Sequence, residues 1–196
     1  MEREHLYQQL ISYGESDVYP FHMPGHKRRP DAAAFADPYA IDITEIDGFD
    51  NLHDAHGVLA DEMARAARLW GSRRAFYLVN GSTGGLLSGI AACVRRGDRV
   101  LVARNAHRAV YHALALNGLR PVYALPAMDE SFGIAGSLSP DAVEQALAAH
   151  PDVRLVIVTS PTYDGVLSDI PALAATAHRH GALLLVDEAH GAHLGL

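Results

Sequence analysis

The sequence predicts an α/β protein: a three-layer sandwich with helices on both faces of a mostly parallel sheet, preceded by an irregular N-terminal arm. Three observations carry that expectation. From residue 54 onward, helical and strand patterns alternate along the chain. Two strand segments, LVIVT at 155–159 and ALLLV at 182–186, are continuous apolar runs without alternation, the mark of strands covered on both faces. Glycines stand where helices should stop, at Gly71, Gly97, Gly118 and Gly181.

The elements follow in order. Residues 1–53 read as an arm, because they hold too few apolar residues for a core of their own. A short helix is expected within 4–13, where Leu6, Leu10 and Ile11 share a face. Pro20, Pro24, Gly25, Pro30 and Pro38 then break up the chain. The domain proper is expected over 54–196. A helix is predicted over 54–70, a strand over 75–79 (AFYLV), and a helix over 82–95. A short strand at 100–103, a helix at 107–117 and a strand at 121–125 come next. Ser139 followed by Pro140 is a helix start, with Ser as N-cap and Pro in the first helical position; that helix ends near His150 and Pro151. A further helix, 171–180, separates the two apolar strands.

Composition bounds the function. Of 196 residues, 49% are hydrophobic and 20% charged, enough to bury a core. The net charge of −7 argues against a surface for nucleic acid or anionic membrane. No apolar run approaches the roughly 20 residues of a membrane span, and the charged start MEREHLYQQL lacks a signal-peptide core. Cys93, the single cysteine, can form no internal disulfide, which fits a reducing compartment. The expectation is a soluble cytoplasmic protein. Its only lysine is Lys27, among 16 basic residues.

In parallel α/β sheets ligands gather beyond the carboxyl ends of the strands, which directs the search. Asn80-Gly81-Ser82-Thr83-Gly84-Gly85 lies between a strand and a helix. Small residues let a ligand approach the backbone, and the helix start offers free N–H groups to a phosphate. It is neither a P-loop nor a G-x-G-x-x-G site, and a glycine-rich turn with a Ser N-cap is the plainer reading. Asp187, ending an apolar strand, is a carboxylate at a buried position. Ionisation there is costly unless a cation, such as a ligand nitrogen, pairs with it; capping the next turn is the alternative. His107 stands near a helix start, where its ring can stack on an aromatic ligand or simply pack. Ser160-Pro161-Thr162-Tyr163-Asp164-Gly165 reads as a turn, with Thr162 and Tyr163 within reach of a ligand. His53 with His56, or His190 with His193 near Asp187, has metal-ligand spacing but no H-E-x-x-H pattern, and no metal is expected.

Taken together and in this order, these segments resemble the ornithine/lysine/arginine decarboxylases, pyridoxal-phosphate enzymes of fold type I. The carrying residues begin with Phe21-His22-Met23-Pro24-Gly25-His26-Lys27, Asp42-Ile43-Thr44-Glu45 and Gly48-Phe49-Asp50-Asn51-Leu52-His53. They continue with 80–85, Arg104-Asn105-Ala106-His107, 160–165 and Asp187-Glu188-Ala189-His190-Gly191-Ala192-His193. The resemblance implies roles. Ser82, Thr83 and Gly84 would hold the phosphate of pyridoxal 5'-phosphate. His107 would stack on its ring, with Ala189 against the opposite face. Asp187 would face the pyridine nitrogen, and His190 would lie near the phenolic oxygen. His107 and Asp187 would be the catalytic residues. The implied reaction removes carbon dioxide from ornithine, lysine or arginine to make a polyamine precursor, in an enzyme that works as a dimer or higher homo-oligomer.

The family's Schiff-base lysine lies downstream of D-E-A-H in a Ser-x-His-Lys segment, whereas Leu196 comes nine residues after Asp187. The expectation is therefore the N-terminal part of such an enzyme, inactive by itself and completed by a C-terminal part. Two other readings stay open. One is a non-catalytic cofactor-binding or assembly module. The other is an aminotransferase or acyltransferase of the same fold, which D-E-A-H fits and F-H-M-P-G-H-K does not.

Overall fold

The computed structural model of the chain describes residues 15–17 and 50–194. The expected helix within 4–13 and the motifs at 21–27 and 42–45 lie outside the described residues. The chain divides into two compact units, with the break between Val58 and Leu59.

In the first unit, Asp50 organises the described loop. Its Oδ1 accepts from the Asn51 and His56 N–H groups at 3.0 Å each, and its Oδ2 accepts from Gly57 N–H at 2.8 Å. His56 turns its Nε2 to Asp54 Oδ1 at 3.0 Å. The backbone N–H groups of 51–57 are thus largely committed within the loop, three to Asp50 and the His53 and Asp54 N–H groups to Asn51. For that reason α1 (Val58–Leu69) starts four residues later than the 54–70 pattern predicts.

The second unit carries the sheet. After α1 come α2 (Gly81–Cys93), β1 (Arg99–Ala103), α3 (Arg108–Leu116) and β2 (Arg120–Ala124). A small hairpin follows, β3 (Met128–Asp129) against β4 (Ile134–Ala135), which the sequence reading did not contain. Then come α4 (Pro140–Ala149), β5 (Val153–Thr159), α5 (Ile170–Arg179) and β6 (Leu183–Asp187). The four main strands run in the order β2-β1-β5-β6, and every pairing is parallel.

Alternate residues of each strand feed two cores, because side chains switch faces at every step. On one face Leu101, Val156 and Val158 pack with Val143 and Leu147 of α4 and Leu173 and Ala177 of α5. On the other, Val100, Val102, Leu155 and Ile157 pack with Leu86 and Ile90 of α2 and Val110 and Ala113 of α3. Val102, Leu155, Ile157 and Ile90 are fully buried. Gly89 lets α2 lie close on β6: a Cβ there would stand 3.3 Å from Leu185 Cδ1. The expected α/β sandwich with a parallel sheet is what the structure shows.

Two expectations need correction. Segment 75–79 is not a strand; Phe76 and Val79 are 69% and 75% exposed, and among the described residues no strand pairs with it. Apolar, β-prone residues do not suffice, since a strand exists only through the ladder it makes with a neighbour. β6 reads as a strand buried on both faces, but it borders the sheet among the described residues and Leu183 is half exposed.

Candidate functional site

The site is built where the four strands end. All run parallel, so their carboxyl ends share one edge of the sheet. The face occupied by α2 and α3 decides which side chains meet there. Leu155 and Ile157 of β5 belong to that face, as does Leu185 of β6. Two residues further along each strand, Thr159 and Asp187 lie on the same face and pair in register.

The start of α2 faces that edge. Its N-cap is Asn80, with φ −106° and ψ 30°, and the Asn80 side chain makes no capping bond. Ser82 is therefore inside the helix, not its cap as the plainer sequence reading had it. Gly84 N–H already reaches back to the Asn80 carbonyl at 3.2 Å. The N–H groups ahead of it have no carbonyl within the helix to bond, as at any helix start. Gly81 enters the helix at φ +60°, a backbone region that favours glycine. Ser82 and Thr83 are exposed. Free N–H groups, two hydroxyls and the positive helix end together suit an anion.

His107 caps α3. Its Nδ1 accepts from Ala109 N–H at 3.2 Å, which assigns the proton of the neutral ring to Nε2. The backbone there is extended, and the side chain is exposed at the strand-end edge.

Asp187 ends β6 and is 6% exposed. Its Oδ1 accepts from Ala189 N–H at 3.1 Å, and its carbonyl accepts from Ser160 N–H at 3.0 Å. The turn-capping role and the buried carboxylate foreseen from sequence thus coexist. Among the described residues no basic side chain lies within ion-pair distance of Asp187. The site therefore presents a buried carboxylate and a helix start without a side-chain cap on the same sheet face. That arrangement suits a ligand carrying both an anionic group and a cationic nitrogen.

Ala189 and His190 follow in the turn after β6 and are exposed. The His190 ring meets the Tyr163 ring edge-on, with centroids 5.5 Å apart. These two line a cleft of about 340 Å³ with Thr162, Leu167 and His193. Gly191 is required here, since a Cβ would collide with the Pro161 ring. The 160–165 segment is the expected turn. Ser160 Oγ accepts from Ser168 N–H at 3.0 Å and Thr162 Oγ1 from Val166 N–H at 3.1 Å. Both hydroxyls are therefore engaged by the backbone, and Tyr163 is the member left facing outward, at 83% exposure. Among the described residues no three His, Cys, Asp or Glu side chains gather as a metal-binding group.

Sequence reasoning missed Thr159. Its Oγ1 is buried and has no hydrogen-bond partner. The available signal was a hydroxyl ending an otherwise apolar run, LVIVT.

This architecture is that of the pyridoxal-phosphate enzymes of fold type I. Among solved structures the chain is similar to the SepCysS-SepCysE N-terminal domain complex, with TM-score 0.59, 20% identity, and 67% of this chain and 36% of that one covered. It is also similar to an aspartate aminotransferase from Rhodobacter sphaeroides, with TM-score 0.53, 25% identity, and 70% and 35% covered. Within that class the chain belongs to the Orn/Lys/Arg decarboxylase family, whose major-domain model matches residues 4–196. It is 39% identical to the uncharacterized protein YaaO of Bacillus subtilis, over 96% of this chain and 40% of that protein. It is 32% identical to an arginine decarboxylase of Halalkalibacterium halodurans, over 98% and 40%. A lysine decarboxylase, LdcA, of Pseudomonas aeruginosa is 28% identical over 94% and 28%. The chain thus spans about two fifths of the length of the first two relatives. Among the described residues no helix is long and apolar enough to cross a membrane.

Proposed function

We propose that this chain is the cofactor-binding part of a pyridoxal-phosphate-dependent decarboxylase acting on ornithine, lysine or arginine. One observation carries the reading: the uncapped start of α2, the exposed ring of His107 and the buried carboxylate of Asp187 share one face at the carboxyl edge of a parallel sheet. The residues fit the group. A buried carboxylate with no basic partner among the described residues, and a helix start with no side-chain cap, are the complements of a pyridinium and a phosphate.

When bound, pyridoxal phosphate supplies a protonated ring that draws electrons from the substrate Cα. Ser82, Thr83, Gly84 and the first N–H groups of α2 would hold its phosphate. His107 and Ala189 would lie against its ring. Asp187 would hold the proton on the ring nitrogen, because its counter-charge favours the charged form of that nitrogen. His190 would lie near the phenolic oxygen. The overall reaction turns a basic amino acid into its amine and carbon dioxide, a precursor for polyamines. Family membership favours this chemistry over an aminotransferase or acyltransferase. A cytoplasmic enzyme, assembled as a dimer or larger homo-oligomer, or completed by a separate C-terminal part, accords with the family.

Fluorescence titration with pyridoxal phosphate is the test. The unsubstituted chain is expected to bind saturably, and Asp187→Ala to bind at least about tenfold more weakly, as for a lost charge-assisted contact. In the full-length protein Asp187→Ala should cut carbon dioxide release by orders of magnitude while folding persists. Undiminished binding and turnover in Asp187→Ala would overturn the proposal. The 196 residues contain one lysine, Lys27. By themselves they are expected to bind without turnover, and borohydride reduction should leave Lys27 unlabelled above background.

A further inference from the structure

Thr159 is a buried polar side chain at this edge to which the proposed function gives no task. It ends β5 with 8% of its surface exposed, and its Oγ1 is fully shielded yet makes no hydrogen bond. The neighbouring hydroxyls differ: Ser160 and Thr162 each accept from a backbone N–H. A buried hydroxyl without a partner is destabilising. Valine, of nearly the same shape, stands in the strand at Val153, Val156 and Val158 without that cost. Packing therefore does not account for a hydroxyl here.

Register points to a partner that the hydroxyl does not bond in this structure. Thr159 and Asp187 are paired residues of adjacent parallel strands. Both point to the face that holds Ile157 and Leu185, and both are buried. Paired positions sit about 4.8 Å apart across a sheet, a span that a hydroxyl and a carboxylate can bridge. The Asp187 carboxylate has Oδ1 engaged by Ala189 N–H and no other bond among the described residues. A hydroxyl can donate to Oδ2.

Resting on the proposed function, we infer that Thr159 is a positioning residue for Asp187: its Oγ1, without a partner in this structure, donates its hydrogen to the carboxylate when the cofactor is bound and holds it toward the ring nitrogen. Thr159 touches the reaction only through Asp187. Its removal is therefore felt by a ligand that has the ring nitrogen and not by one that lacks it.

The test compares two probes, pyridoxal phosphate and 1-deaza-pyridoxal phosphate, which carries C–H in place of the ring nitrogen. Binding is read by fluorescence titration of the unsubstituted chain, Thr159→Val, Thr159→Ser, Asp187→Ala and the double variant Thr159→Val/Asp187→Ala. Thr159→Val is expected to weaken pyridoxal phosphate about tenfold, the loss of one hydrogen bond to a charged group. It should leave the deaza probe unchanged. Thr159→Ser, which keeps the hydroxyl, should restore pyridoxal phosphate binding to within about threefold of the unsubstituted chain. In the Asp187→Ala background, Thr159→Val should have no further effect, since coupled residues share one interaction. Equal weakening of both probes, failure of Ser to rescue, or an additive double variant would make Thr159 structural and overturn the inference alone. If the unsubstituted chain bound neither probe saturably, the proposed function itself would fall, and the inference with it.

Discussion

At the residue scale, the proposed function separates binding from chemistry. In that reading Ser82 and Thr83 would hold the phosphate, remote from any bond that changes. Ser82→Ala with Thr83→Ala should weaken pyridoxal phosphate binding while leaving the turnover of saturated full-length enzyme nearly intact, because these groups hold the non-reacting end. An unchanged dissociation constant with a reduced turnover number would contradict the assignment. Gly191 constrains the same edge by steric means. Its Cβ position is occupied by the Pro161 ring, a rigid neighbour that cannot rotate away. Gly191→Ala should displace the turn that carries Ala189 and His190, costing about 1–3 kcal/mol by overpacking. Chemical denaturation reads the stability loss, and quenching of pyridoxal phosphate fluorescence reads the weakened site.

At the element scale, helix starts do two different jobs in this chain. The starts of α3, α4 and α5 are capped by His107, Ser139 and Asp169, each accepting from a backbone N–H in the first turn. The start of α2 has no such cap. These three helices thus close their own ends, while in the proposed function the start of the glycine-rich helix facing the strand edge would offer its N–H groups to a phosphate. Ser139→Ala should therefore cost about 1 kcal/mol of stability, the usual loss of a cap, with cofactor affinity unchanged. Thermal melting and the same fluorescence titration separate the two effects. Equal stability would show that Pro140 at the helix start is enough by itself.

At the scale of the whole molecule, α4 and α5 cover the sheet face opposite the site, and polar contacts tie them together. Glu144 accepts from Arg179 at 2.9 Å and pairs with His180 at 2.6 Å. The His180 bond above all, and then Arg179, hold the Glu144 carboxyl below its ordinary range. A carboxyl depressed in the folded state contributes stability above its unfolded pKa, and that contribution is lost as pH falls through the folded value. Melting temperature should thus fall on acidification below the usual carboxylate range. Glu144→Gln should be less stable than the unsubstituted chain at neutral pH, with the difference shrinking in acid. A difference that stays constant from neutral to strongly acidic pH would exclude the pair as its source.

The capacity for a parallel α/β sheet was legible in the chain itself. LVIVT and the Ser139-Pro140 start report local physics, the covering of an apolar run and the satisfaction of a helix end. Asp187 was legible too, as a charge placed where an apolar run stops. Segment 75–79 was misread because apolar β-prone residues need a neighbour to become a strand. The 128–135 hairpin was invisible because strands of two residues carry no periodicity. Thr159 was hidden for a related reason. A hydroxyl at the end of a strand has no meaning until register sets it beside one particular carboxylate and packing strips it of water. By itself the sequence determined which residues are apolar, where helices start and stop, and which charge stands at a strand end, because those depend on neighbours along the chain. Only the tertiary structure decided which faces meet, which strand ends lie side by side and which buried groups lack partners, because those depend on contacts between residues far apart in sequence.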